Sequence, residues 1–220
     1  MNRWPYRLEP LRAAEKHALE AALGNTLSLQ WHESAGARWR IARLNGMASA
    51  IRLRLPEAFA VHQRIIDWSG NFSPTGIPAG ATGLDAMTVK LMKWAMQSWP
   101  RTKLVNRIVG TSGAVLQMDY LPGLCCAAHF TLGLKGAPGS PEERVQALLE
   151  AGGAIQRFWL TATKLGLAIQ PSLATLAFAH YGRTGAPFTT EARTCRRGPD
   201  WPLAQPPGKS EGKDYVSPPF

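Results

Sequence analysis

The side chains able to do chemistry are few in this sequence, and most stand apart from one another. His129 sits between Ala128 and Phe130 in the apolar run 124–134 (LCCAAHFTLGL). An imidazole is a ready general base, but no acidic partner stands at a motif spacing that would make a dyad with it. The reading is therefore a hydrogen-bonded core histidine. Cys125 and Cys126 are adjacent and cannot easily bridge each other, and Cys195 lies far away in a polar region. Neither a disulfide framework nor a zinc site is legible, and no metal site is expected. The two neighbouring thiols read as small hydrophobes.

Charge is the other chemical resource. Residues 34–107 hold eleven basic side chains (Arg38, Arg40, Arg43, Arg52, Arg54, Arg64, Lys90, Lys93, Arg101, Lys103 and Arg107) against Glu57, Asp67 and Asp85. That local excess of eight raises a basic polyanion-binding protein as one alternative. The arginines are spread over several predicted helices, and no helix-turn-helix, zinc-finger or RNA-recognition pattern accompanies them, which argues against nucleic acid as a partner.

The elements that must position these groups are marked by Pro and Gly. Leu11, Ala14, Ala18, Leu19 and Ala22 recur at helical spacing before Gly24, and Leu27, Leu29 and Trp31 then alternate with polar residues as in a half-buried strand. Ser34 caps a predicted helix that runs to Leu55, and Pro56 opens the next. Residues 69–83 (SGNFSPTGIPAGATG) read as a long loop. Asp85 caps a helix predicted to reach Trp99, with Pro100 ending it. The run 124–134 reads as a central strand buried on both faces. Ser140, Pro141, Glu142 and Glu143 form a helix start, with reciprocal capping between Ser140 and Glu143. That helix runs to Lys164 and Leu165, with Gly166 placed for a left-handed cap. Gly152 and Gly153 inside it suggest either close packing against a backbone or planar ligand, or plain tolerance. A last helix is expected over 173–181, and Ser172 is placed to cap it.

Three segments carry a resemblance. Residues 2–11 (NRWPYRLEPL), then Gly76, Ile77 and Pro78 with residues 81–84 (ATGL), then residues 150–172 (EAGGAIQRFWLTATKLGLAIQPS) resemble, in chain order, motifs of the nitroreductase-like FMN-dependent flavoproteins. The nearest subgroup is the molybdopterin-biosynthesis-like one, built of two fused halves. The resemblance spans roughly residues 2–190. It implies an α+β fold, a small antiparallel sheet surrounded by helices, with FMN between two subunits or two halves. It also implies hydride transfer from NAD(P)H through FMN to a small-molecule organic acceptor. Arg3 matches the arginine of the first motif and would hold the FMN phosphate through its planar fork. Gln170, Pro171 and Ser172 match the loop near the flavin ring. The subgroup carries a flavin-lining stretch of the type P-S-x-x-N-x-Q-P-W ahead of the first motif, and nothing in this chain matches it. The domain, residues 1–190, is therefore expected to be incomplete at its N-terminus. That makes self-association or pairing with a missing half an expected partnership, and a non-catalytic FMN- or partner-binding remnant the main alternative to an active reductase.

Length and composition bound these readings. A chain of 220 residues with 45% hydrophobic residues has room for one substantial core, and global disorder is excluded. Residues 191–220 carry six prolines with little periodicity and read as an extended or disordered tail. The apolar run 121–134 is broken by Pro122, Gly123 and His129, short of what a membrane-spanning helix needs. The first residues do not resemble an export signal either. No membrane partner and a cytoplasmic location are expected.

Overall fold

The computed structural model describes residues 8–70, 72–136 and 138–190. The order of elements is α1 (Ala13–Leu23), β1 (Leu27–His32), α2 (Ala35–Arg52), α3 (Pro56–Ile65), β2 (Ile66–Asp67), β3 (Ile77–Pro78), α4 (Ala86–Ala95), α5 (Trp99–Ile108), α6 (Ser112–Val115), α7 (Leu121–Cys125), β4 (His129–Leu134), α8 (Pro141–Lys164) and α9 (Leu173–Thr184). A short 3₁₀ turn (Ala79–Thr82) comes after β3, and a π turn (Leu116–Tyr120) joins α6 to α7.

The fold is α+β, with a small antiparallel sheet among helices. β1 pairs with β4 in antiparallel register from Leu27 opposite Leu134 to His32 opposite His129. Side chains alternate across the pleat, so Leu27, Leu29 and Trp31 share one face with Phe130, Leu132 and Leu134. That face is covered by α1 and α8: Leu19, Leu23, Leu27, Ala151, Ala154, Phe158 and Ala162 form a buried cluster with the sheet residues packed around it. Phe158 is 2% exposed and stands 5.0 Å, ring centroid to centroid, from Phe130. Full burial of a side chain of this size contributes about 1.5–3 kcal/mol. The long helix α8 starts where the sequence predicts, with Ser140 Oγ accepting from the Glu143 N–H at 3.1 Å, but the expected return bond is displaced by one residue, the Glu143 carboxylate accepting from the Gly139 N–H at 2.7 Å. At its end Gly166 takes a φ of 71°.

A second cluster joins α2 to α9. Ala48, Leu55 and Phe178 are buried there beside Leu44, Met47 and Ile51, and the Tyr181 and Phe188 rings stack 5.1 Å apart. The other flank of α2 meets the π turn and α7 through glycines. A Cβ at Gly46 would come within 2.7 Å of the Tyr120 ring, and one at Gly123 within 2.8 Å of the Ala42 Cβ. Glycine at both positions lets the helices approach closely.

Several expectations need correcting. The run 124–134 is not one buried strand: residues 121–125 are helical, the strand begins at His129, and most strand residues are only half-buried because the sheet has two strands. Pro122 explains the helix, since proline fits a first turn, where its missing N–H is harmless. Pro100 likewise lies in the first turn of α5 rather than merely closing α4, which stops at Ala95. The helix from Ser34 ends at Arg52. The loop 69–83 is pinned by the two-residue parallel pairing of β2 with β3. Residues 191–220, read as a tail, lie outside the described residues. Among the described residues no helix is long and apolar enough to cross a membrane.

Candidate functional site

Of the four residues assigned to FMN, three are described. Gln170, Pro171 and Ser172 form the exposed link between α8 and α9; Arg3 lies outside the described residues. Ser172 does not cap α9 with its side chain. Its Oγ instead accepts from Asn45 Nδ2 at 3.2 Å, while Asn45 Oδ1 accepts from Thr175 Oγ1 at 2.6 Å. Asn45, on α2, therefore anchors the link from across the fold. Sequence reasoning passed over Asn45, because a lone polar residue within a helical pattern reads as solvated. Gln170 is exposed, and no hydrogen bond engages its amide among the described residues. A free amide donor is one of the groups a flavin ring requires near its nitrogen edge.

The helix that leads into this link has two unlike faces. One packs on the sheet; the other presents Val145, Leu148, Leu149, Ile155, Trp159 and Leu160, between 38% and 67% exposed. Their spacings of three and four residues place most of them along one side. Gly152 belongs to this stretch, and a Cβ built on it would meet nothing within 4 Å; one on Gly153 would meet only Arg157 Nη1 at 3.6 Å. Among the described residues the close packing weighed for these glycines does not occur. Gly152 leaves a flat notch in an apolar face.

The other candidate chemistry, at His129, is inert as arranged. Its Nε2 lies 2.8 Å from the Gly123 carbonyl oxygen and 3.5 Å from Cys126 Sγ. A carbonyl can only accept, so Nε2 carries the hydrogen and cannot take a proton from the thiol. Arg38 Nη1 donates to the Cys126 carbonyl at 3.0 Å. Burial pushes the Cys126 thiol up, against the opposing pull of Arg38. Burial pushes His129 down, opposed by its hydrogen bond to the Gly123 carbonyl and aided by nearby His32 and Arg38. Both groups are held neutral, the reverse of an activated thiolate–imidazolium pair. His129 is the hydrogen-bonded core histidine expected. Among the described residues no cluster of three His, Cys, Asp or Glu side chains could hold a metal ion.

No protein-family description, characterised protein or solved structure matches the chain.

Proposed function

We propose that the chain is a nitroreductase-like, FMN-dependent flavoprotein that passes hydride from NAD(P)H to a small organic acceptor. The observation that carries this reading is the two-faced helix α8. The segment resembling the family's flavin-proximal helix packs one side on a two-stranded antiparallel sheet and leaves the other apolar, notched at Gly152 and continuous in sequence with the exposed Gln170–Pro171–Ser172 link. A flat apolar surface and a free amide donor are what an isoalloxazine ring needs from a protein. In this reading Gln170 donates to the ring edge, Pro171 and Ser172 shape the loop held by Asn45, and Arg3 neutralises the phosphate. Bound FMN would supply the two-electron chemistry. The open apolar face also supports self-association or pairing with a second half, and the protein acts in the cytoplasm.

Titrating FMN into the purified chain while following flavin fluorescence and absorbance tests the reading. Saturable quenching with a shifted flavin band is expected. Gln170→Ala should weaken binding by up to about tenfold, the worth of one neutral hydrogen bond. Absence of any saturable change up to millimolar FMN would refute it. Bleaching of the bound flavin by NAD(P)H then separates an oxidoreductase from a non-catalytic FMN- or partner-binding form.

A polyanion-binding role is the second reading, favoured by one specific observation. α4 and α5 carry Lys90, Lys93, Arg101, Lys103 and Arg107 and no acidic residue, and Arg101 and Lys103 lie over the rings of Trp94 and Trp99 at 5.3 and 5.8 Å. Salt-sensitive retention on heparin or duplex DNA, without flavin binding, would select it.

A further inference from the structure

α3, α4 and α5 do not close fully on one another. Between them, roofed by Arg52, Leu53 and the residues that lead from α5 into α6, is a partly enclosed cavity of about 100 Å³. Its walls are mostly apolar, including Phe59, Leu91, Met92, Met96 and Val105. The exceptions are a small polar set: Arg52, His62, Thr88, Thr102, Asn106 and Thr111.

Four of those polar side chains are spent on the fold, Thr88 Oγ1 donating to Asp85 Oδ2 at 2.5 Å. Asn106 Nδ2 donates to the Leu53 carbonyl at 2.9 Å, Thr102 Oγ1 donates to the Ala95 carbonyl at 2.9 Å, and Thr111 Oγ1 accepts from Arg54 Nη2 at 3.5 Å. Arg52 also works locally, its Nη2 donating to Ser49 Oγ at 3.4 Å. A guanidinium carries five N–H donors, however, so it can keep its contacts within the fold and still meet a guest. His62 lines the same cavity, and burial first, with the Arg52 cation adding to it, pushes its imidazole down to about 4. At neutral pH the pair is one fixed positive charge beside one uncharged ring. A guanidinium in apolar surroundings selects an anion, and its planar fork matches a carboxylate better than a spherical ion.

Size narrows the guest further. An engineered apolar cavity of roughly 150 Å³ takes up benzene, so the present volume, about 100 Å³, encloses about four non-hydrogen atoms, and any further atoms of a guest lie toward its open side. The apolar walls exclude a guest that is polar all round, because its buried groups would lack partners. We propose that this cavity is a binding site for a small branched or short-chain monocarboxylate, with the carboxylate on Arg52 and the hydrocarbon against Phe59, Met92, Met96 and Val105. The site is built from α3, α4 and α5 with Arg52 from the end of α2, and it shares no residue with the α8–α9 link, so it stands or falls independently of flavin binding.

The test uses the full chain labelled with ¹³C at the methionine methyls and two probes that share one branched carbon skeleton, isobutyrate and isobutanol. Isobutyrate should shift the Met92 and Met96 methyl signals saturably in the millimolar range and raise the melting temperature in proportion to its occupancy. Met47 and Met118, which do not line the cavity, should stay still. Isobutanol should bind at least tenfold more weakly, and Arg52→Met should abolish that preference. Ala95→Leu, which adds bulk to a cavity wall, should weaken both probes and serves if the Arg52 variant does not fold. Equal affinity for the two probes, or isobutyrate binding unchanged in either variant, would overturn the proposal. Uniform shifts across all methionines, or none that saturate, would also overturn it.

Discussion

Replacing Phe158 by alanine tests the packing on which the reading of α8 depends. The ring is 2% exposed, lies 5.0 Å from Phe130, and belongs to the cluster of Leu19, Leu23, Leu27, Ala151, Ala154 and Ala162. Truncation removes the transfer free energy of the ring and leaves a cavity that a sheet braced by two helices cannot collapse into. Buried Phe→Ala changes cost about 3–5 kcal/mol. For a domain of this size that corresponds to a fall in Tm of roughly 6–20 °C. With a urea slope of about 2 kcal/mol/M it is a midpoint lowered by roughly 1.5–2.5 M. Leu149, on the same helix but 67% exposed, is the comparator; Leu149→Ala should stay within about 0.5 kcal/mol. Equilibrium urea unfolding followed by far-UV circular dichroism and tryptophan fluorescence measures both, and coincidence of the two probes checks two-state behaviour. A loss below about 1 kcal/mol for Phe158→Ala, or equal losses for the two variants, would mean that α8 does not present the faces assigned to it. The flavin reading would then lose its support.

Stability should also depend on pH through His62. Burial first, and the Arg52 cation second, lower its pKa to about 4, whereas the unfolded chain titrates near 6.5. Below pH 6.5 the unfolded state therefore binds more protons than the folded one. Stability is full above that pH and falls as the pH drops toward 4, by about 3 kcal/mol in all. His32 and His129 are lowered by burial too and act in the same direction, so the measurement is the difference between wild type and His62→Gln in urea midpoints at pH 7 and pH 4.5; parallel pH profiles would contradict it. Gly123→Ala should cost about 1–3 kcal/mol by overpacking, because the new methyl would lie 2.8 Å from Ala42 Cβ and 3.2 Å from its Cα; an unchanged urea midpoint would show that α2 and α7 are not in that contact.

Much of the frame is legible in the residues. The alternation Leu27–Leu29–Trp31 fixes a face as well as a strand, and that face is the one packed on Phe158. Ser140, Pro141 and Glu143 mark the start of α8 because capping is a local, short-range chemistry. The errors arise where one signal admits two structures. Proline stops one helix and starts another, so Pro100 and Pro122 mark boundaries without telling which element comes next. A short apolar run fits a helix or a strand, and residues 121–125 and 129–134 are one of each. The cavity between α3, α4 and α5 has no local signature, since Arg52, His62 and Met92 are brought together only by tertiary packing. Asn45 and Ser172 meet across 127 positions of sequence. The resemblance to flavoproteins gave the loop residues but could not supply their anchor.

The π turn at Leu116–Tyr120 sets the phase of the whole segment 112–125. In an α-helix, residues five apart point about 140° away from each other. Here Val115 and Tyr120 both reach Gly46, since a Cβ at that glycine would come within 3.1 Å of the Val115 Cγ1 and 2.7 Å of the Tyr120 ring. The wider turn closes i to i+5 and makes a two-pronged clasp that an α-helical phase would open. The clasp behaves as a length gauge. Deleting one residue within 116–119 would let the turn relax to ordinary helix with Val115 and Tyr120 four apart and so still on one side, whereas inserting one would leave them six apart, about 120° from each other in helical phase, and open the clasp. A conservative substitution at any of the turn's five positions leaves the count, and so the gauge, intact.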